Sequence, residues 1–181
     1  MLKWFRQGPP PYQTSLAMVG VKPGDRVLVA GKPEPELPAQ LARLTGLNGQ
    51  TVVVNQPADT RVAIEKAAAS EGVLVEFADA PPTELPADDG VVDIVVLALD
   101  LSHTNPPTWR ALLVEGFRSL RPGGRLLVID GIRRASLFGS GRSSPPATDT
   151  ISPQLVAAGG RAARMLASAD GLTYYEAQKP R

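Results

Sequence analysis

The chain has 181 residues, a formal net charge of +1 and no cysteine. That length suits one domain with a proper core, and near-neutral charge supplies no bulk field for nucleic acid or an anionic membrane surface. The missing thiol excludes disulfides, thiolate metal sites and a cysteine nucleophile.

Residues 1–11 read as an N-terminal arm. Trp4 and Phe5 could touch a partner or membrane surface, or cap the domain's own core. Gly8-Pro9-Pro10-Pro11 interrupts the apolar start before a secretory h-region could form, and no apolar run approaches the length of a membrane span. A cytoplasmic protein without a transmembrane segment is expected. Tyr12 to Val19 forms a short helix that Gly20 closes. Pro23-Gly24 fits the central positions of a type II turn.

Arg26 to Ala30 is a continuous apolar run of strand length, the pattern of a central parallel strand covered on both faces. Glu36 to Leu44 has helical spacing, with Pro38 acceptable only in the first turn. Thr51 to Val54 is a second buried strand with Asn55 at its carboxyl end. Ala58 to Ser70 is helical. Val73 to Phe77 is a third strand with Asp79 just beyond it, and Ala80 to Gly90 is a proline-rich acidic loop. Val91 to Leu99 is the fourth strand. A polar loop from Asp100 to Pro107 carries His103, the one histidine in the chain. Thr108 to Leu120 is an amphipathic helix stopped by Arg121-Pro122-Gly123-Gly124, and Arg125 to Asp130 is the fifth strand.

Gly131 to Thr150 is rich in Ser, Gly, Pro and Arg and is expected to be mobile. Ser152 to Ala158 is a short helix with Ser152 as N-cap. Arg161 to Ala167 and Leu172 to Ala177 form a closing hairpin around Ala169-Asp170-Gly171. Alternating apolar strands and helices require crossovers and a parallel sheet. The expectation is a single domain over 1–181: a Rossmann-like, doubly wound seven-stranded α/β sheet, mostly parallel, with a C-terminal antiparallel edge hairpin.

Several local signatures narrow this. Val21 to Leu28 (Val-Lys-Pro-Gly-Asp-Arg-Val-Leu) resembles the lead-in to the first strand of class I S-adenosylmethionine-dependent methyltransferases. Glu115 to Val128, with its Leu-Arg-Pro-Gly-Gly turn, resembles the segment before their fifth strand. Asp93-Ile94-Val95-Val96 and Leu101-Ser102-His103 resemble the entry and exit of the fourth strand, and the edge hairpin is similar too. The likeness runs from Tyr12 to Lys179 and points to the small, single-domain branch that resembles methyltransferase type 11.

The resemblance implies S-adenosylmethionine as cofactor and a methyl transfer to a small-molecule acceptor. Carried over residue by residue, it implies Ala30, Gly31, Asn55, Asp79 and Ala98 as cofactor positions. The family's first turn reads Gly-x-Gly-x-Gly after an acidic residue. Here Val29 stands at the acidic position, Gly31 remains, and Pro33 and Pro35 replace the next two glycines. Proline fixes φ near −65° and lacks an N–H, so a turn needing positive φ there cannot form unchanged. The family's ribose-binding carboxylate is here Asn55, which accepts through one oxygen without charge assistance. Asp79 matches the acid that contacts the adenine amino group.

His103 is the candidate catalytic base, against the plainer reading of a solvated loop residue. One histidine without cysteine gives no metal site. Asn105-Pro106-Pro107-Thr108 resembles the Asn-Pro-Pro-Tyr element of amino-methylating enzymes, but lies too far past the strand and lacks the tyrosine; it reads as a helix-initiating turn. Asp88-Asp89 reads as a solvated loop and Asp93 as a strand start. Arg133, Arg134 and Arg142 could grip an anionic substrate from a mobile lid or be solvated.

Two functions fit: a methyltransferase with an unusual cofactor turn, and a catalytically inactive methyltransferase-fold protein, a pseudoenzyme, whose partner is another protein of a complex. A nicotinamide-dependent reductase needs Gly-x-Gly-x-x-Gly, and Gly31 to Glu36 reads Gly-Lys-Pro-Glu-Pro-Glu. Oligomeric state is not legible.

Overall fold

The computed structural model describes residues 12–131, 149–169 and 171–181. The arm with Trp4 and Phe5, the loop with Arg133, Arg134 and Arg142 expected as a mobile lid, and Asp170 of the expected hairpin turn lie outside the described residues. Helices are α1 (Gln13–Val19), α2 (Glu36–Thr45), α3 (Ala58–Glu71), α4 (Pro106–Ser119) and α5 (Ser152–Ala157). Strands are β1 (Arg26–Gly31), β2 (Gln50–Val54), β3 (Glu76–Ala78), β4 (Val92–Leu99), β5 (Leu120–Asp130), β6 (Arg161–Ala169) and β7 (Leu172–Gln178).

The seven strands join in one sheet of order β3-β2-β1-β4-β5-β7-β6. The first five are mutually parallel, and β7 runs antiparallel to both β5 and β6. This is the expected doubly wound sheet with its edge hairpin. The order reverses between β1 and β4, so the crevice outside their carboxyl ends is the topological switch point where such sheets hold ligands.

Alternation along the central strands divides the core. Leu28, Val95, Leu97, Leu126 and Tyr175 pack with Leu113 and Phe117 of α4 and Leu155 of α5. Val27, Val29, Ile94, Val96, Leu127 and Tyr174 face the other way, onto Val19, Leu37, Leu41 and Ile64 of α1, α2 and α3. Each fully buried aliphatic contributes about 1.5–3 kcal/mol, and a strand covered on both faces has no polar side to show. This is why the apolar runs were legible.

Several boundaries differ from those expected, for identifiable reasons. The third strand starts at Glu76 rather than Val73, because Val73 N–H is spent closing α3 onto Ala68 O. Helix α4 begins two residues early, with Pro106 and Pro107 in its first turn, where no N–H is required. The fifth strand begins at Leu120 rather than Arg125: Leu120 is already extended and pairs with Val92 across a register shift. The closing hairpin is longer than expected at Ala169 and Gln178. Ser152 does not cap α5. Asp149 does that, its Oδ1 accepting from the Ile151 and Ser152 amides. The Pro23-Gly24 turn forms as expected, with Gly24 at φ 87 and Asp25 N–H donating to Lys22 O.

Candidate functional site

The first strand runs one residue beyond its apolar core and ends at Gly31, at φ 95. Lys32 N–H donates to Ala98 O at 2.7 Å, which bends the chain toward β4. Pro33 is buried, and Pro35 (φ −55, ψ −30) stands at the N-cap of α2. The prolines therefore enter the helix directly instead of forming a glycine-type loop. Pro33, Pro35 and Pro38 have no N–H, and Leu37 N–H donates to Glu34 O. A helix N-terminus that would otherwise cradle an anion with free amides is here depleted of donors.

At the end of β2, Asn55 sits at φ 54, a left-handed conformation that asparagine tolerates better than most residues. Its N–H donates to Ala78 O and its Oδ1 accepts from Ala80 N–H at 2.8 Å. The carbonyl oxygen is thus spent on the neighbouring strand end, and the exposed amide group remains to donate. Next to it, Gln56 is 6% exposed, and its Nε2 donates to both Gly31 O and Val54 O at 2.8 Å. Two carbonyl acceptors fix the orientation of this amide. Oε1 therefore faces away, buried and without a partner among the described residues. Gln56 was not singled out from the sequence. A second polar residue, following Asn55 at the end of an apolar strand, was the one available signal.

Asp79, beyond β3, is exposed and ion-paired with Arg61 at 2.5 Å. Arg61 also lies over the Phe77 ring and donates to Gln56 O. Asp79 does not line the cavity beside Asn55.

Two cavities occupy the carboxyl edge. The larger, about 710 Å³, is bounded by Ala30 and Gly31 from β1, Asn55 and Gln56 after β2, Ala80 after β3 and Leu112 of α4. The smaller, about 260 Å³, lies between Ser15 of α1, Ala98 to Asp100, Ile129 and Leu172. Both are lined by Lys32 and Pro33, so they adjoin across the first turn. Of the expected positions, Ala30, Gly31 and Asn55 meet in the larger cavity, Ala98 lines the smaller, and Asp79 and His103 line neither.

His103 stands just past the smaller cavity. Its Nδ1 lies 2.8 Å from Asp100 Oδ2 and 2.8 Å from Ser102 Oγ, and its side chain is 76% exposed. The Ser102 hydroxyl, opposed by burial and helped by His103, holds the Asp100 carboxyl below the usual carboxylate range. Asp130, at the end of β5, accepts from Leu101 N–H at 2.9 Å. Burial, reinforced by the Asp100 charge, pushes its carboxyl up. Neighbouring carboxylates are thus driven apart in opposite directions by their surroundings.

These residues fit a nucleoside joined to an amino acid, the shape of S-adenosylmethionine. The larger cavity has a floor of small residues and the free Asn55 amide. The smaller has mainly apolar walls and is lined by the cationic Lys32 and the acidic Glu34 and Asp100, so both signs of charge are there for a zwitterionic end. Side-chain charge there stands where a glycine loop would present backbone amides.

Comparison with known proteins agrees. A family profile described as methyltransferase domain matches residues 34–124, half of the chain, beginning after Gly31 and Lys32. The ubiquinone/menaquinone biosynthesis C-methyltransferase UbiE of Teredinibacter turnerae is 33% identical over 119 residues, covering 64% of this chain and 47% of that protein. The chain therefore spans about half the length of the curated relatives it matches. A solved SAM-dependent methyltransferase from Aquifex aeolicus has a TM-score of 0.68 at 20% identity, covering 93% of this chain and 89% of that one. The [4+2]-cyclase SpnF has a TM-score of 0.67 at 17% identity, covering 98% and 85%. These structures speak for the fold alone, and the second is named for a cyclisation, so fold does not name the reaction. On the profile match and the sheet order that agrees with it, this chain belongs to the methyltransferase-domain family, with the class I S-adenosylmethionine-dependent fold.

Proposed function

We propose that the chain is an S-adenosylmethionine-dependent methyltransferase acting in the cytoplasm on a small-molecule acceptor. The observation that carries this is the pair of adjoining cavities at the switch point, one nucleoside-sized with Asn55 at its wall, the other apolar and flanked by Lys32 and Asp100. The cofactor, when bound, supplies a methyl group already activated by a sulfonium, so the protein's task is chiefly alignment. Asn55 would donate to the ribose, Gly31 and Ala98 would form the floor between the two cavities, and Lys32 and Asp100 would hold the amino-acid end.

His103 is the group positioned to take a proton from the acceptor. With Nδ1 turned to Asp100, an Nδ1–H tautomer leaves Nε2 as the free acceptor, oriented by a carboxylate that stays ionised. The UbiE relatives are named for ubiquinone and menaquinone biosynthesis, which supports a small molecule as acceptor. Among the described residues no helix is long and apolar enough to cross a membrane.

Calorimetric titration with S-adenosylmethionine and S-adenosylhomocysteine tests the reading. Saturable binding is expected. No heat at millimolar ligand would overturn it in favour of a non-catalytic subunit with the same fold.

A further inference from the structure

The opposite, amino edge of the sheet carries a second cleft, of about 650 Å³, that the proposed transfer reaction does not use. It is framed by the lead-in to β1, the starts of β4, β5 and β6, and the end of β7. Six cationic side chains line it against two carboxylates, those of Asp25 and Asp93. The chain's formal net charge is +1, so this surplus leaves the remaining surface net negative and concentrates positive potential in one concavity.

Both carboxylates are already engaged. Asp93 accepts from the Arg121 guanidinium and, at 2.8 Å, from Arg26 N–H. Asp25 accepts from Lys22 N–H at 2.8 Å. Arg125 is tied to Glu176 and to the Val19 carbonyl, and Lys179 to the Arg118 carbonyl. The Lys22 ammonium and the Arg161 guanidinium, brought from the β1 lead-in and the start of β6, make no hydrogen bond or ion pair with another described side chain. Arg181 lies over Gly123, its Nε 3.9 Å from where a Cβ of that glycine would stand. No aromatic side chain lines the cleft, so it has no platform for stacking bases and does not suit single-stranded nucleic acid.

We infer that this cleft binds a phosphate-bearing group with at least two negative charges, held chiefly by Lys22 and Arg161. Arginine's planar fork matches phosphate oxygens, and lysine adds a mobile point charge. The group could belong to a free phosphate compound or to an anionic lipid headgroup. Inorganic pyrophosphate titrated by calorimetry, and co-sedimentation with vesicles of phosphatidic acid, a phosphomonoester, in phosphatidylcholine, separate these sources. Binding in either arm, weakened at least about tenfold between low and roughly 0.3 M salt and lost in K22E/R161E, supports the inference. The neutral K22Q/R161Q variant should fall between, and S-adenosylhomocysteine binding should be unchanged in both, which also reports that they are folded. Absence of binding in both arms, a K22E/R161E variant that binds like wild type, or a preference for a single-stranded oligonucleotide over both probes would overturn it.

Discussion

Gly31 and Ala98 are register partners on neighbouring parallel strands, and a Cβ placed on Gly31 would stand 2.0 Å from the Ala98 carbonyl oxygen. The same residue has φ 95, where side chains other than hydrogen are strained. G31A is therefore expected to destabilise the fold by about 3 kcal/mol or more, read as a lower midpoint in urea. Because the obstacle is backbone, A98G should not rescue it. An unchanged midpoint would mean that β1 and β4 can separate at their ends without cost.

Gln56 ties the same strand end to β2 through one amide group shared by Gly31 O and Val54 O. Q56E is nearly the same shape but sets a carboxylate oxygen against two carbonyls inside the protein. A loss of about 2–4 kcal/mol at neutral pH is expected. Part of it should return in mild acid, where the protonated acid regains one donor. Equal stability of Q56E and wild type across pH would exclude the bridging role.

Legibility followed solvent exposure and chain locality. The central strands were readable because burial on both faces forces unbroken apolar runs such as Val27 to Ala30 and Ile94 to Leu99. Pro33 and Pro35 were readable as a departure because their constraint on φ is intrinsic to the residue. Contacts made across the fold left no local trace. The Arg61 pairing that holds Asp79 and the clamp of Gln56 on Gly31 each depend on where a residue distant in the chain arrives. The early start of β5 is of the same kind, since Leu120 is extended by its pairing with Val92 rather than by its neighbours.

Asp130 gives a pH signature of definite sign. Its carboxyl is raised in the folded protein by burial and by the Asp100 charge, so in that window the folded state holds more protons than the unfolded one. Stability must then fall as pH rises from the ordinary carboxylate value through the raised one. D130N keeps an oxygen for Leu101 N–H and removes the buried charge. At neutral pH it should be more stable than wild type, and the advantage should vanish in acid. Thermal melts of both proteins across pH 3–8 measure this. A D130N protein less stable than wild type at pH 7 would show that the carboxylate is held by a favourable partner.

On the proposed cofactor reading, Asn55 sets how strongly a ribose can be held. Its Oδ1 already accepts from Ala80 N–H, so asparagine offers the cavity only donors. N55D would keep that bond with one oxygen and present the other, charged, to the two ribose hydroxyls. Hydrogen bonds to an ionised acceptor are roughly twice as strong as neutral ones. On the proposed cofactor reading, N55D should bind S-adenosylhomocysteine up to about tenfold more tightly, close to 1.4 kcal/mol. D79A should change affinity little, because Asp79 is turned to Arg61 and lies outside the cavity lining. N55D also keeps a residue type tolerant of the left-handed φ, so its fold should survive. Calorimetry on the three proteins separates the contributions: tighter binding by N55D with D79A unchanged is the expected pattern, whereas a large loss in D79A would return the adenine contact to Asp79 and require Arg61 to release it.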